Sequence, residues 1–544
     1  MTVDTARQSI DAALRNPVLI EAALALSEDR LHDAEPLLRG RLRDAPTDVA
    51  AIRMMAELAA RIGRLKDSEA LLRRALELAP SFGVARANLA TVLYKQNRFP
   101  EALEQLDAVL AEEGNNPAQQ NLKAAALGRI GGYEEAIGLY KDLIERFPDH
   151  AKLWMSYGHM LKTVGEQDSS VAAYRRALDV EPTLGEVWWS LANLKTVRFS
   201  DEDMTAMQTA LATIGLTDED KFHLHFALGK ASEDRALHED AFAHYAAGNA
   251  LRSAELQHDP DNVKAQVDHM IRTITPDFLA AREGAGDSAA DPIFIIGMPR
   301  AGSTLIEQIL SSHSQIEGTM ELPDIPAIAM REAREHEGSK VKVDASSWLV
   351  AVADMTPERL SALGAEYIER TRIQRKTSKP FFIDKLPNNW AYLGLIRLIL
   401  PNAKIIDARR HPLDCCFSNF RQHFAKGQAF SYDLDHMGRY YADYVRAMAH
   451  VDAVLPGYVH RVIHEQVLED PEGEIRRLLA FLDVPFEDSC LNFHANTRAV
   501  RTASSEQVRR PINRDGVDQW KPYEHHLDPL KKALGSLWAT YPAL

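Results

Sequence analysis

Apolar residues in the first half of the chain recur at helical spacing, as in AIRMMAELAARIG (51–63) followed by LKDSEALLRRALELAP (65–80). Aligned on itself, this half shows a period of 34 residues, with Gly63, Asn97, Gly131 and Gly165 in one column. The small residues Ala34, Ser68, Ala102, Ala136 and Ser170 form a second column. Pro46, Pro80, Pro148 and Pro182 form a third, with Gly114 in its vacant place. Each unit therefore reads as two antiparallel helices that turn at the Gly/Asn column, approach closely at the small column and end at the proline.

This period, with these residue types, resembles the tetratricopeptide repeat (TPR), which stacks into an all-α superhelix. The resemblance runs roughly from residue 15 to 250 and is sharpest through 184, which implies about five regular units and one or two irregular closing ones. It implies a concave face for a peptide or protein, either acceptor or partner, and edges that suit a homodimer. His150, His159 and His223 stand singly on these helices and read as surface or core residues.

Past the array the pattern changes. TPDFLAAREGAGDSAADP (275–292) is rich in Gly, Ala, Ser and Asp, a linker signature. Short apolar runs then alternate with helical stretches: PIFIIGM (292–298), PFFIDK (380–385), AKIIDARR (403–410) and HRVIHEQV (460–467). Such runs predict a buried parallel sheet with crossover helices, with ligands beyond the carboxyl ends of the strands. The expected division is a repeat array over 1–255, a linker over 256–290 and an α/β domain over 291–544.

The first of these runs continues as FIIGMPRAGSTLIEQIL (294–310), where Gly297 and Gly302 bracket four residues as in a nucleotide-hydrolase phosphate loop. Ser303 stands where that loop carries its lysine, and the cation, Arg300, lies inside the turn. Converging main-chain N–H groups, the hydroxyls of Ser303 and Thr304 and a helix N-terminus make this an anion cradle. In AKIIDARRHPLDCCFSNF (403–420), Arg410 ends a strand and Ser418 lies about two turns into the next helix, so guanidinium and hydroxyl can hold one phosphate. Two anion sites on neighbouring strands imply a ligand with phosphates at two ends.

Composition narrows the partners. A chain of 544 residues, 46% hydrophobic and 26% charged, is a multidomain globular protein. With 78 Asp+Glu against 63 Lys+Arg, net −15, it is not expected to bind nucleic acid. Three cysteines, Cys415, Cys416 and Cys490, suit a reducing compartment and are too few for a metal cluster. With neither an export signal nor an apolar run of membrane-spanning length, the expected location is cytoplasmic, with no membrane span.

GMPRAGSTL, ARRHPLDCCFSNF and the late NRDGVDQWKPY are similar to motifs of sulfotransferases that use 3'-phosphoadenosine-5'-phosphosulfate (PAPS). GTMELPDI, FIDKLPNNW and SSEQVRRPIN most resemble the tyrosylprotein sulfotransferase type. The resemblance implies an α/β P-loop-like sulfotransferase domain with a central parallel sheet, PAPS as co-substrate and no metal. It implies that Arg300, Ala301, Gly302, Ser303 and Thr304 hold the phosphosulfate, that Arg410 and Ser418 hold the 3'-phosphate, and that Arg514 and Gly516 close over the nucleotide. Glu321 is then the general base, Arg300 and Lys385 the cations at the transferred group and Ser505 a further contributor. These residue types suit in-line transfer, which needs a base for the acceptor proton and positive charge on the leaving oxygen. His313, His411 and His423 also lie near the anion motifs and compete as base, His313 first.

The leading expectation is sulfuryl transfer to a hydroxyl on a peptide or protein, tyrosine included, that the repeats recruit. Three other readings stay open: a small-molecule or glycan sulfotransferase whose repeats serve assembly, a nucleotide-dependent kinase, and a non-catalytic TPR adaptor.

Overall fold

A computed structural model describes residues 15–337, 344, 346–424, 427–500, 502, 505 and 507–542. The chain forms two compact units, 1–161 and 162–544. Among the described residues no helix is long and apolar enough to cross a membrane.

The first unit is built from helix pairs: Pro17–Ser27 with Leu31–Asp44, Val49–Arg61 with Leu65–Leu78, Gly83–Lys95 with Phe99–Glu113, and Pro117–Arg129 with Tyr133–Arg146. The Gly/Asn column marks the turn inside each pair. Gly63, Asn97 and Gly131 take φ of +80°, +60° and +82°, left-handed conformations that glycine adopts freely and asparagine tolerates. The small column is fully buried at Ala34, Ser68, Ala102 and Ala136. The Ser68 hydroxyl satisfies itself on the Ala56 carbonyl at 2.7 Å, so a polar side chain can sit where the helices touch.

The helices Ala151–Val164 and Gln167–Val180 continue the sequence pattern, with Gly165 at φ +91° and Ser170 buried. Two irregular pairs follow in chain order, Gly185–Ala192 then Asp201–Leu211 and Asp218–Asp234 then His238–Leu256, with Asp218–Asp234 packed against each of the other three. The stretch 256–290, expected as a linker, carries the helices Pro260–Thr273 and Pro276–Ala280. Val267, Met270 and Ile274 give this segment a buried helical face, and the small-residue composition is confined to its end.

Among the described residues the sheet has five parallel strands in the order β2-β3-β1-β4-β5, where β1 is Pro292–Gly297, β2 Ile316–Gly318, β3 Phe381–Asp384, β4 Lys404–Arg409 and β5 Val459–Ile463. All six residues of β1 are buried, as both faces of a helix-covered sheet require. Gly297 pairs with Ala408, and at its φ of +134° a Cβ would stand 2.3 Å from the Ala408 carbonyl oxygen, so only glycine lets β1 end there. The sequence pattern did not predict β2, whose three residues are too few to show a period.

The irregular helix pairs pack directly on the α/β layers of the second unit. Phe242 stacks on Phe420 and His526 with centroids 5.6 Å and 4.0 Å apart, and the Asn249 amide donates to the Phe420 carbonyl at 2.9 Å. Arg421 pairs with Glu233. The His423 ring is set among Trp189, Phe222, His223 and Phe226. His423 is therefore a packing residue rather than a base. Burial holds the His223 imidazole down to about 4, and burial together with His223 and Arg252 holds His423 down to about 2. Both rings are neutral in the fold at pH values where the unfolded chain, near 6.5, protonates them.

Their contribution to stability is therefore complete above pH 6.5 and lost as pH falls towards 4 and below. The urea midpoint of the second unit should be level at pH 7–8 and fall between pH 6.5 and 4, and the fall should be shallower in His423→Phe. Parallel pH profiles for the two proteins would refute this assignment.

Candidate functional site

Every strand ends at one edge, and the strand order sets the candidate residues in a row along it. Glu321 follows β2, Lys385 follows β3, the Arg300 turn follows β1, Arg410 follows β4 and His464 follows β5. Neighbouring strands lie about 4.8 Å apart, so the ends of β2 and β4, three spacings apart, are ~14 Å from each other.

The turn after β1 bends through Arg300 at φ +67° and Gly302 at φ +97° into the helix Ser303–Ser311. A Cβ on Gly302 would lie 2.9 Å from His464 Nδ1, so glycine here makes room for that ring. The helix Pro412–Phe420 pins the turn from below: Asn419 Nδ2 donates to the Pro299 carbonyl at 2.7 Å and Cys415 Sγ to the same oxygen at 3.3 Å. Arg410 braces it from the side, with Nη1 donating to the Arg300 carbonyl at 3.1 Å and Nη2 to that of Gly516. The Arg300 side chain crosses to Ser418, Nε to Oγ at 3.1 Å, and to Gln507, Nη2 to Oε1 at 3.3 Å.

Arg300, Gly302, Ser303, Thr304, Arg410, Ser418 and Gly516 thus line a single cavity of ≈600 Å³. Burial, with the like charges of Arg410 and Arg421, pushes the Arg300 guanidinium down to about 10; it stays cationic at neutral pH. A bound anion would relieve both penalties. Ala301 is buried behind the turn, its N–H donating to the Met298 carbonyl at 3.3 Å. Arg514 is exposed, its carbonyl accepting from the Val517 N–H at 2.9 Å. Neither is among the residues that line the cavity.

Lys385 and Glu321 form a second group, towards the β2 side. Lys385 is 1% exposed, and its Nζ donates at 2.5 Å to Glu321 Oε1, whose side chain is 47% exposed. A cation fixed in the wall thus holds a carboxylate at the surface. Ser505 is buried with its N–H on the Thr502 carbonyl at 3.2 Å. Thr502 Oγ1 in turn lies 3.3 Å from Thr304 Oγ1. Of the SSEQVRRPIN stretch, Ser504 and Glu506 lie outside the described residues.

The competing histidines are held elsewhere. His313 is fully buried, with Nε2 2.8 Å from the Pro485 carbonyl and Nδ1 accepting from the Gln315 N–H at 3.1 Å. His411 lies parallel to Trp520 with centroids 6.2 Å apart, and burial lowers its basicity. Asp384, the strand-end carboxylate a kinase would offer to a metal, is fully buried and accepts from the Tyr367 hydroxyl at 2.8 Å; burial pushes its carboxyl well up.

Some cavity residues carried no readable signal. His464 lines the cavity, and burial, with Arg410, lowers it to about 4, leaving a neutral ring beside the turn. Lys195 and Lys230 reach the same cavity from the irregular helix pairs. No motif marks them, because only long-range packing brings them there.

Residues 292–488 match the sulfotransferase family, and residues 63–126 and 121–185 match tetratricopeptide repeats. The chain is 31% identical over 405 residues to an uncharacterised protein of Aquifex aeolicus (strain VF5), covering 74% of this chain and 52% of that one. It is 24% identical over 255 residues to protein-tyrosine sulfotransferase A of Caenorhabditis elegans, covering 44% of this chain and 64% of that one. The chain therefore spans between half and two thirds of the length of these relatives. A solved sulfotransferase domain from the Synechococcus PCC 7002 olefin synthase is similar at 21% identity and a TM-score of 0.33, over 44% of this chain and 90% of that one.

An anion cradle walled by Arg300 and Arg410 should respond to a simple oxyanion. Sodium sulfate at tens of millimolar should raise the melting temperature above sodium chloride of equal ionic strength, and Arg410→Ala should abolish the difference. Equal sulfate effects in both proteins would remove Arg410 from the cradle.

Proposed function

The chain carries a sulfotransferase-family domain behind tetratricopeptide repeats, and from that premise we propose that it transfers a sulfuryl group from PAPS to a hydroxyl on a peptide or protein recruited by the repeats. Tyrosine is the first acceptor to test, since several relatives are protein-tyrosine sulfotransferases. The observation that carries this reading is the row of side chains along one sheet edge, from Glu321 through Lys385 and Arg300 to Arg410. That row suits a donor lying across the strand ends, its 3'-phosphate at Arg410 and Ser418 and its phosphosulfate at the 300–304 turn.

On this reading the acceptor hydroxyl enters beside Glu321. Its oxygen attacks sulfur as the bond from sulfur to the bridging phosphate oxygen breaks, and its proton passes to the Glu321 carboxylate. Lys385 and Arg300 stabilise the charge that develops on the leaving oxygen, with Ser505 as a further donor. The 2.5 Å contact between Lys385 Nζ and Glu321 Oε1 supports this assignment, because it keeps base and electrophilic cation within reach of one reacting centre. Gly516 and Arg514 belong to the segment that covers the nucleotide. The burial of Asp384 speaks against the kinase alternative, since the carboxylate faces Tyr367 instead of the cavity.

Two measurements test this. The product nucleotide 3',5'-diphosphoadenosine should raise the melting temperature, whereas ATP with Mg2+ should not; stabilisation by ATP-Mg2+ alone would overturn the proposal. In assays with PAPS and tyrosine-bearing peptides, Glu321→Ala should keep nucleotide stabilisation and lose about 100-fold or more in turnover. Arg410→Ala should lose the stabilisation itself. Wild-type turnover in Glu321→Ala would dismiss it as the base.

A further inference from the structure

The cavity has a wall that the α/β domain does not build. Seven cationic side chains line it, those of Lys195, Arg198, Lys230, Arg300, Arg410, Arg421 and Arg510, against three acidic ones, Glu233, Asp234 and Asp515. Three of these cations, and two of the acids, come from the irregular helix pairs. The acids are already engaged: Glu233 with Arg421 and the Tyr245 hydroxyl, Asp234 with Lys230 and Arg198, and Asp515 with Arg510. With all seven cations protonated the surplus among these side chains is four positive charges, matching a donor that carries about four negative charges when its 3'-phosphate and phosphosulfate are ionised.

Lys195 is placed in this wall by an interruption of the repeat. The helix Gly185–Ala192 has 8 residues where the helix Ala151–Val164 has 14. The chain then turns through Lys195 at φ +65°, a left-handed conformation that costs a lysine about 1 kcal/mol or more and persists only where its surroundings impose it. Burial first, and then the like charges of Arg300, Arg421, Lys162 and Lys230, hold its ammonium well below the ordinary lysine value. Like charges gathered in this way destabilise the empty cavity and favour a polyanion.

We propose that Lys195 is a donor-binding residue, so that the closing helix pairs of the repeat array form one wall of the nucleotide site and not only a docking platform. The proposal rests on the reading of this cavity as the PAPS site. Its place beside Arg300 assigns Lys195 to the phosphosulfate end.

Calorimetric titration with 3',5'-diphosphoadenosine tests it. The wild type should bind; if it does not, the reading of the cavity as a donor site fails first. Given wild-type binding, Lys195→Met should weaken affinity about 10-fold or more, Lys195→Arg should restore most of it, and Lys221→Met, at a half-buried position paired with Asp218 outside the cavity lining, should leave it unchanged. Without nucleotide, Lys195→Met should melt no lower than wild type, because the substitution removes repulsion; a residue with a purely structural role would lower it. Should Lys195→Met not fold, lysine acetylation of the wild type read by mass spectrometry decides: the nucleotide should shield Lys195 and leave Lys221 reactive. Unchanged affinity in a folded Lys195→Met, or unshielded labelling of Lys195 at saturating nucleotide, would overturn the proposal.

Discussion

The Arg410 guanidinium donates to the carbonyl of Arg300, so one cation fixes the main chain that carries the next. That contact needs β1 and β4 side by side and ending together, which the register from Ile293 with Lys404 to Gly297 with Ala408 provides. It also needs the close approach at Gly297 that any Cβ would forbid. The remaining anchors, Asn419 and Cys415 beneath the turn and Ser418 across it, come from the helix that begins at Pro412. Like charges are thus held together by neutral contacts that do not relax when the cavity is empty, a preorganised arrangement for a charged donor.

The sheet edge then separates two groups of side chains. Arg300 and Arg410 gather around β1 and β4, while Lys385 and Glu321 sit at β3 and β2. Nothing in the local sequence of GTMELPDI or FIDKLPNNW makes these runs neighbours; the crossover that puts β3 between β1 and β2 does. Chain order and spatial order differ, and the difference is what brings Glu321 and Lys385 towards a turn encoded elsewhere.

Much of this was legible because some positions tolerate few residue types. A left-handed turn accepts Gly or Asn, and a helix-to-helix contact accepts Ala or Ser, so columns such as Gly63/Asn97 and Ala34/Ser68 announce the repeat. Four of the five strands appeared as apolar runs, but β2 is too short to show one. The anion turn was readable from Gly297, Arg300 and Gly302 for the same steric reasons. Proximity in sequence misled where it stood in for direction: His313 and His423 neighbour the motifs yet face a carbonyl and an aromatic cluster. Lys195 and Lys230 left no trace, since a lysine on a degenerate repeat looks like any solvated one until tertiary packing turns it inward.

The aromatic seam between the last helices and the α/β layers bears on how this architecture can be rearranged by recombination. Phe420, His423 and Tyr523 are covered by Phe242, Trp189, Phe222 and His238. A gene segment cut at residue 291 would uncover that seam as sticky apolar surface and would lose Lys195 and Lys230 as well. The segment that recombination would have to keep whole therefore begins well upstream of the first strand, at the helices that carry Trp189, Phe222, His238 and Phe242.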